Sequence, residues 1–224
     1  MKRLIAAACL LLALGTAQAK DFAWMRTRTT HPWVALTFDC CQTLKPAGYD
    51  QALVNILQQT RTPATFFLGG RWIETHPQAM KQLAGCNYFE LANHSYLHPH
   101  FPKLTAAQVQ SELQRTQALV ARYGRTSRFL RPPYGEYDRQ TLAVARQLGL
   151  RTVTWSISTG DPDKNTSASE ILQAVKRAKP GDIIIMHANG RGWHTAEALP
   201  KIIAYLRHRG LRPVTLTTLL GGAR

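Results

Sequence analysis

Trp33-Val34-Ala35-Leu36-Thr37-Phe38-Asp39-Cys40-Cys41 is an apolar run that discharges a carboxylate and two thiols at its end. Its residues are mostly aliphatic, β-branched or aromatic, with almost no polar alternation. A strand buried on both faces reads this way, and such strands belong to parallel sheets covered by helices. The pattern recurs at Ala64–Gly69, Phe89–Asn93, Arg128–Arg131, Thr152–Ile157, Asp182–His187 and Arg212–Leu216. Between these runs lie helical patterns at Tyr49–Gln59, Pro77–Ala84, Ala106–Tyr123, Arg139–Leu148, Ser169–Ala178 and Ala196–Arg209. Gly85, Gly124, Gly149 and Gly210 stand just past helix ends, where left-handed caps form. Strands alternating with helices predict an α/β fold, either a (β/α) barrel or an open doubly wound sheet. No Gly-x-Gly-x-x-Gly follows a strand, which argues against a dinucleotide-binding fold.

The N-terminus carries a different signal. Lys2 and Arg3 precede the apolar run Leu4–Leu14, and Ala17-Gln18-Ala19 ends it in a small-x-small pattern. That is the layout of a cleaved export signal, and the run is shorter than the roughly 20 residues a membrane span needs. Residues 1–19 are therefore read as a signal peptide and 20–224 as a single catalytic domain, exported to the periplasm or beyond and not held in the membrane. The chain has 28 Lys plus Arg against 13 Asp plus Glu; without Lys2 and Arg3 the balance is 26 against 13. Such a charge draws in polyanions. The basic residues are scattered and no nucleic-acid motif accompanies them, so carboxylate-bearing peptidoglycan or anionic lipid headgroups are the expected encounter. Cys40, Cys41 and Cys86 remain after processing, an odd number. Cys86 precedes the third strand and Cys41 follows the first, so the two are expected at opposite rims, too far apart to bridge.

In parallel α/β folds, active sites gather at the carboxyl ends of the strands. Asp39, His94, Arg131 and His187 all fall there. Asn93-His94-Ser95-Tyr96-Leu97-His98-Pro99 sets two imidazoles four residues apart, a spacing that one divalent ion can span if the segment forms a compact turn. No Glu follows His94, which excludes the zincin protease motif. Arg131-Pro132-Pro133-Tyr134-Gly135 places a permanent charge before a proline-stiffened turn, and the Tyr134 and Gly135 N–H groups are donors an oxyanion could use. His187 ends another buried strand with the side chain most often used for proton transfer near pH 7. Trp193 and His194, after Gly190-Arg191-Gly192, read as a rim loop able to stack on a sugar, and packing is nearly as good a reading. Trp155 reads as core.

Taken in order, Leu36-Thr37-Phe38-Asp39, His94-Ser95-x-x-His98-Pro99, Phe129-x-Arg131-Pro132-Pro133-Tyr134-Gly135 and Ile185-Met186-His187 resemble the polysaccharide deacetylases of carbohydrate esterase family four. Ala64-Thr65-Phe66-Phe67, Glu90-Leu91-Ala92 and Thr195-x-x-Ala198-Leu199-Pro200 resemble its secondary signatures, so the likeness spans residues 33–220. The resemblance implies a deformed (β/α) barrel with about seven parallel strands and hydrolysis of N-acetyl groups on an amino-sugar polysaccharide. It implies Asp39 as base, Arg131 holding that base, His187 as acid, the Tyr134 N–H at the oxyanion, and a divalent metal, zinc by preference, on His94 and His98. An O-acetyl esterase on a glycan and a weakly catalytic glycan-binding module are the alternative expectations. Two departures stand out. Cys40 occupies the place of the family's second Asp, a metal ligand: either its thiolate replaces the carboxylate, or it packs and water or Cys41 completes the shell. In the fourth motif Ser158 replaces an Asp, while Asp161 remains and is counted with Tyr134, Trp193 and His194 among the substrate-facing groups.

Overall fold

The computed structural model describes residues 22–42 and 48–221. The expected leader, residues 1–19, lies outside the described residues. Eight strands are present: β1 (Trp33–Cys40), β2 (Ala64–Leu68), β3 (Phe89–Asn93), β4 (Phe129–Leu130), β5 (Arg151–Thr152), β6 (Ile157–Ser158), β7 (Ile183–His187) and β8 (Arg212–Pro213). Eight helices accompany them: α1 (Gln51–Gln59), α2 (Gly70–Thr75), α3 (Pro77–Gly85), α4 (Ala106–Ala121), α5 (Arg139–Gln147), α6 (Ala168–Val175), α7 (Thr195–His208) and α8 (Leu216–Gly221). The described strand pairs are all parallel and run in the order β5-β4-β3-β2-β1-β7-β6, with β8 joined to the start of β1.

The topology forces the sheet to curl. β5 and β6 are its two outer strands, yet only the residues between Thr152 and Ile157 separate them in sequence. Five Cα steps reach at most about 18 Å, whereas seven strands laid flat would span about 29 Å from first to last. The expected single strand Thr152–Ile157 is thus two short strands on opposite edges, and the chain between them crosses the gap of an incomplete barrel. An N-terminal strap fills that gap from outside. Trp24 bonds to both Thr152 and Thr154 on one lip, at 2.8 Å each, and Thr27 bonds to Gly181 on the other at 3.0 Å. Arg26 adds an ion pair to Asp182 at 3.2 Å.

Alternation along the strands divides the core in two. Val34, Leu36, Phe38 and Cys40 of β1 point outward to the helices, with Phe66 of β2 and Ile184 and Met186 of β7. Ala35, Phe67, Ala92, Phe129 and Ile183 point into the barrel. Leu216, Leu219 and Leu220 of α8 join this inner cluster and plug the amino end of the strands. Of this plug only Leu216 fell within an expected element, as the end of the strand Arg212–Leu216; it is instead the first residue of α8. Among the described residues no helix is long and apolar enough to cross a membrane.

Candidate active site

At the open end, β1 and β7 pair in register so that Asp39 sits opposite His187. Parallel neighbours lie about 4.8 Å apart, so these two side chains share one small space. Each is held from behind. Arg131, fully buried, donates from one terminal nitrogen to Asp39 Oδ1 at 2.7 Å and from the other to the Thr37 hydroxyl at 2.8 Å and the Thr154 carbonyl at 3.1 Å. Its guanidinium lies 4.0 Å from the Phe67 ring centre inside the barrel. His187 is held by Asp161, whose Oδ1 accepts from the ring Nδ1 at 3.0 Å and whose Oδ2 accepts from the His187 backbone N–H at 2.7 Å. Thr195 donates its hydroxyl to the same carboxylate at 2.7 Å, and the Thr159 hydroxyl lies between it, at 3.1 Å, and the Ile185 carbonyl, at 2.9 Å. A side chain on Gly192 would collide with the His187 carbonyl, the Thr195 hydroxyl and Asp161, so this loop closes on the carboxylate only with glycine there.

The electrostatics of the pair run in opposite directions. Burial pushes the Asp39 carboxyl up, but the charges of Arg131, His94 and His187 outweigh it and hold the group below its usual value. Burial pushes His187 down, but its hydrogen bond to Asp161 and the charges of Asp161 and Asp39 outweigh it and raise the imidazole above its usual value. One partner is therefore biased toward its negative charge and the other toward its proton. Two titratable groups displaced in opposite senses mark an acid and a base.

Beside them, residues 94–98 form a compact loop. Asn93 Oδ1 accepts from the Ser95 N–H at 2.9 Å, and the Tyr96 and Leu97 N–H groups both donate to Glu112 on α4 at 2.8 Å. The His98 N–H donates to the Ser95 hydroxyl at 3.0 Å. Ser95, His98 and Tyr134 all adopt positive φ, between 60° and 64°, a backbone cost that collects at functional sites. The loop brings His94 and His98 together, ring centres 4.9 Å apart, and their ligand atoms lie within 4.8 Å of one another and of Cys41 Sγ. His94 Nδ1 donates to the Arg131 carbonyl at 2.7 Å, which fixes the tautomer and leaves Nε2 with a free lone pair, 3.5 Å from Asp39. Burial holds His94 below its usual pKa despite Asp39, and burial with the neighbouring His94 takes His98 down to about 3. Neutral imidazoles and a thiol within ligand distance suit a divalent ion of the zinc type.

The arrangement corrects two sequence expectations. Cys40 is not at this cluster. It is the outward residue of β1, buried among the helix-facing apolar side chains, because successive strand residues point to opposite faces. Asp39 and Cys41 share the inner face instead. Asp161 does not face substrate either, being buried beneath His187. Of the two N–H donors noted at the proline turn, that of Gly135 is spent on the Pro132 carbonyl at 3.0 Å. The Tyr134 side chain stands exposed, stacked on His100 at 4.2 Å and edge-on to His98 at 4.5 Å. Trp193 is exposed on the rim, whereas His194 caps α7 and turns to Glu197 at 3.5 Å. Trp155 packs against the inner core under Gly135, as expected of a core residue. Cys86 is free and caps α3 at the opposite end of the strands. Thr37, Thr159, Asn189 and Thr195 were not foreseen as site residues. Thr37 carried a signal, since it precedes Asp39 by two and must share its face.

Residues 26–153, more than half of the chain, match the family described as polysaccharide deacetylase. The chain belongs to that family. Among curated relatives, a peptidoglycan-N-acetylglucosamine deacetylase from Bacillus cereus is 33% identical over 190 residues, covering 83% of this chain and 67% of its own length. A bifunctional xylanase/xylan deacetylase from Cellvibrio japonicus is 36% identical over 183 residues, and this polysaccharide deacetylase homologue covers 81% of itself but only 26% of that larger protein. The crystal structure of a family-four carbohydrate esterase pseudoenzyme from Bacillus anthracis superposes with a TM-score of 0.81 at 27% identity, covering 92% of this chain and 71% of that one. A mutant of the same pseudoenzyme has restored enzymatic activity. Within the polysaccharide deacetylase fold, therefore, an intact frame does not by itself guarantee catalysis.

Proposed function

We propose that this polysaccharide deacetylase removes acetyl groups from N-acetylated amino sugars in a glycan of the peptidoglycan type, with Asp39 as base and His187 as acid. The observation that carries the reading is the pairing of Asp39, bonded to Arg131, with His187, bonded to Asp161, beside a cluster of side chains able to hold a metal. Cys41, His94 and His98 would hold a divalent ion, which when bound supplies Lewis acidity to the acetyl carbonyl and acidifies water. The protein's own groups do the rest. Asp39 takes a proton from the water that attacks the carbonyl carbon, and Arg131 keeps its carboxylate aimed. The Tyr134 N–H donates to the oxygen that becomes negative. His187 delivers its Nε2 proton to the sugar nitrogen as the carbon–nitrogen bond breaks, and acetate and a free amine leave.

The likeness to a xylan deacetylase supports a second reading, hydrolysis of O-acetyl esters. The two differ in what they demand of the acid, because an amine leaves only once protonated whereas an alkoxide is less dependent on it. Export, read from residues 1–19, would bring the enzyme to a cell-wall substrate. Acetate release from N-acetylated and O-acetylated glycans, with and without chelator, tests the proposal. His187→Ala is expected to lose at least 10²-fold in turnover on N-acetyl substrates while keeping its metal content. Loss of metal in that variant would make His187 a ligand and overturn its assignment as acid.

A further inference from the structure

The third ligand of the cluster is where this chain parts from its family. Asp39, the nearest carboxylate, is committed through Oδ1 to Arg131. Cys40, the residue that replaces the family's second Asp in sequence, faces away. Cys41 takes the place instead, because two steps along the chain from Asp39 restore the inward face. Its sulfur lies within 4.8 Å of a ligand nitrogen on each of His94 and His98. Asn189, two residues past His187, donates its side-chain amide to the Cys41 carbonyl at 3.0 Å and to Sγ at 3.4 Å. That amide fixes the residue at both ends and gives the sulfur a donor of the kind that supports ligating thiolates. The Asn189 carbonyl in turn accepts from the Gly48 N–H at 2.8 Å, which braces the loop from the other side.

We infer that Cys41 is a thiolate ligand and that the centre is a sulfur–nitrogen–nitrogen site selecting zinc or cobalt(II) over magnesium, calcium and manganese. Sulfur and imidazole suit the borderline and softer ions, whereas harder ions need carboxylate, carbonyl and water oxygens. A carboxylate in the same position would leave that choice open. The inference rests on reading the cluster as a metal centre and not on the identity of the glycan.

The test uses the full chain, stripped by chelator and titrated with cobalt(II), read by absorption and by metal analysis. One equivalent of cobalt is expected to produce a near-ultraviolet sulfur-to-cobalt charge-transfer band, and zinc to erase it. A hundredfold excess of magnesium or manganese should leave the band intact. Cys41→Ser should abolish the band and weaken zinc binding at least tenfold. Cys41→Asp should bind without the band and with raised manganese affinity, which also covers the case in which the serine variant fails to fold. Cys40→Ala should keep the band. Cobalt bound without the band in the wild type, or a band that survives Cys41→Ser or vanishes in Cys40→Ala, would overturn the assignment of Cys41. No cobalt bound by the wild type would overturn the metal-centre reading itself, a separate outcome from an absence of deacetylation.

Discussion

Arg131 spends both terminal guanidinium nitrogens on Asp39, Thr37 and Thr154, entirely out of water. Removing one partner of a buried pair leaves the other charge uncompensated, at about 3–5 kcal/mol. Asp39→Asn is therefore expected to abolish turnover and also to lower unfolding stability by up to that amount, measured by denaturant titration. Adding Arg131→Gln should recover part of the stability and none of the activity; a double variant no more stable than the single would show that the pair is not the cause. Asp161→Asn acts on the acid. The raised pKa of His187 keeps it charged at pH values where an ordinary imidazole is neutral, so losing the Asp161 charge must lower that pKa. The alkaline limb of the kcat/KM profile is then expected to move to lower pH while the acid limb, set by Asp39, stays. The same sign governs stability: the His187–Asp161 contribution is complete below the ordinary imidazole value of 6.5 and is lost as pH rises through the higher folded one. Sequence alone singled out Asp39, His94, Arg131 and His187 because each ends or follows a strand, and His98 for its spacing from His94. It could not tell whether Asp161 points at substrate or props up another side chain, since spacing carries no information about which way a loop carboxylate turns.

At the scale of the element, β1 shows both the strength and the limit of pattern reading. Its existence, direction and burial follow from composition, and the observed Trp33–Cys40 runs one residue past the expected Trp33–Asp39. The proposed ligand is Cys41 and not Cys40, because a single step along the pleat exchanges inside for outside. Cys40→Ser should therefore cost about 1–3 kcal/mol, the penalty of an unpartnered hydroxyl in an apolar cluster, with no change in metal affinity by titration. A change in affinity without a change in stability would place Cys40 at the cluster after all. The apolar run at 152–157 misled for a different reason. Its hydrophobicity is genuine, but whether two ends of a run pair with the same neighbour is decided by residues far off in sequence, here Phe129–Leu130 and Ile184–Ile185. The plug α8 was hidden too: six residues are too few for a helical period to declare itself, and its first residue, Leu216, read as the end of a strand.

For the molecule as a whole, the seam matters most. Trp24, Arg26 and Thr27 cross it, and the strap leaves no room for a Cβ at Gly181, which has φ of 91° and lies against the Thr27 carbonyl. Gly181→Ala is expected to destabilise by at least 1–3 kcal/mol, the range for a residue forced into a disfavoured backbone region, and to speed amide exchange in residues 151–158 more than in β2 or β3. Uniform acceleration across the sheet would mean that the strap is not a separate unit. The guanidinium of Arg131 touches both this seam, through Thr154, and the proposed base, through Asp39, and that double attachment bears on how the family can evolve. A lineage drifting from catalysis toward plain carbohydrate binding has several residues it can lose. Losing His187 takes a charge from beside Asp161 but leaves that carboxylate the Thr195 hydroxyl and the backbone N–H at position 187, and losing Cys41 leaves no buried charge alone. Losing Asp39 strands a cation at the centre of the barrel. Inactive descendants of such a chain should accordingly keep the base long after they have discarded the acid or the ligand, so that an intact Asp39 records ancestry more faithfully than it records activity.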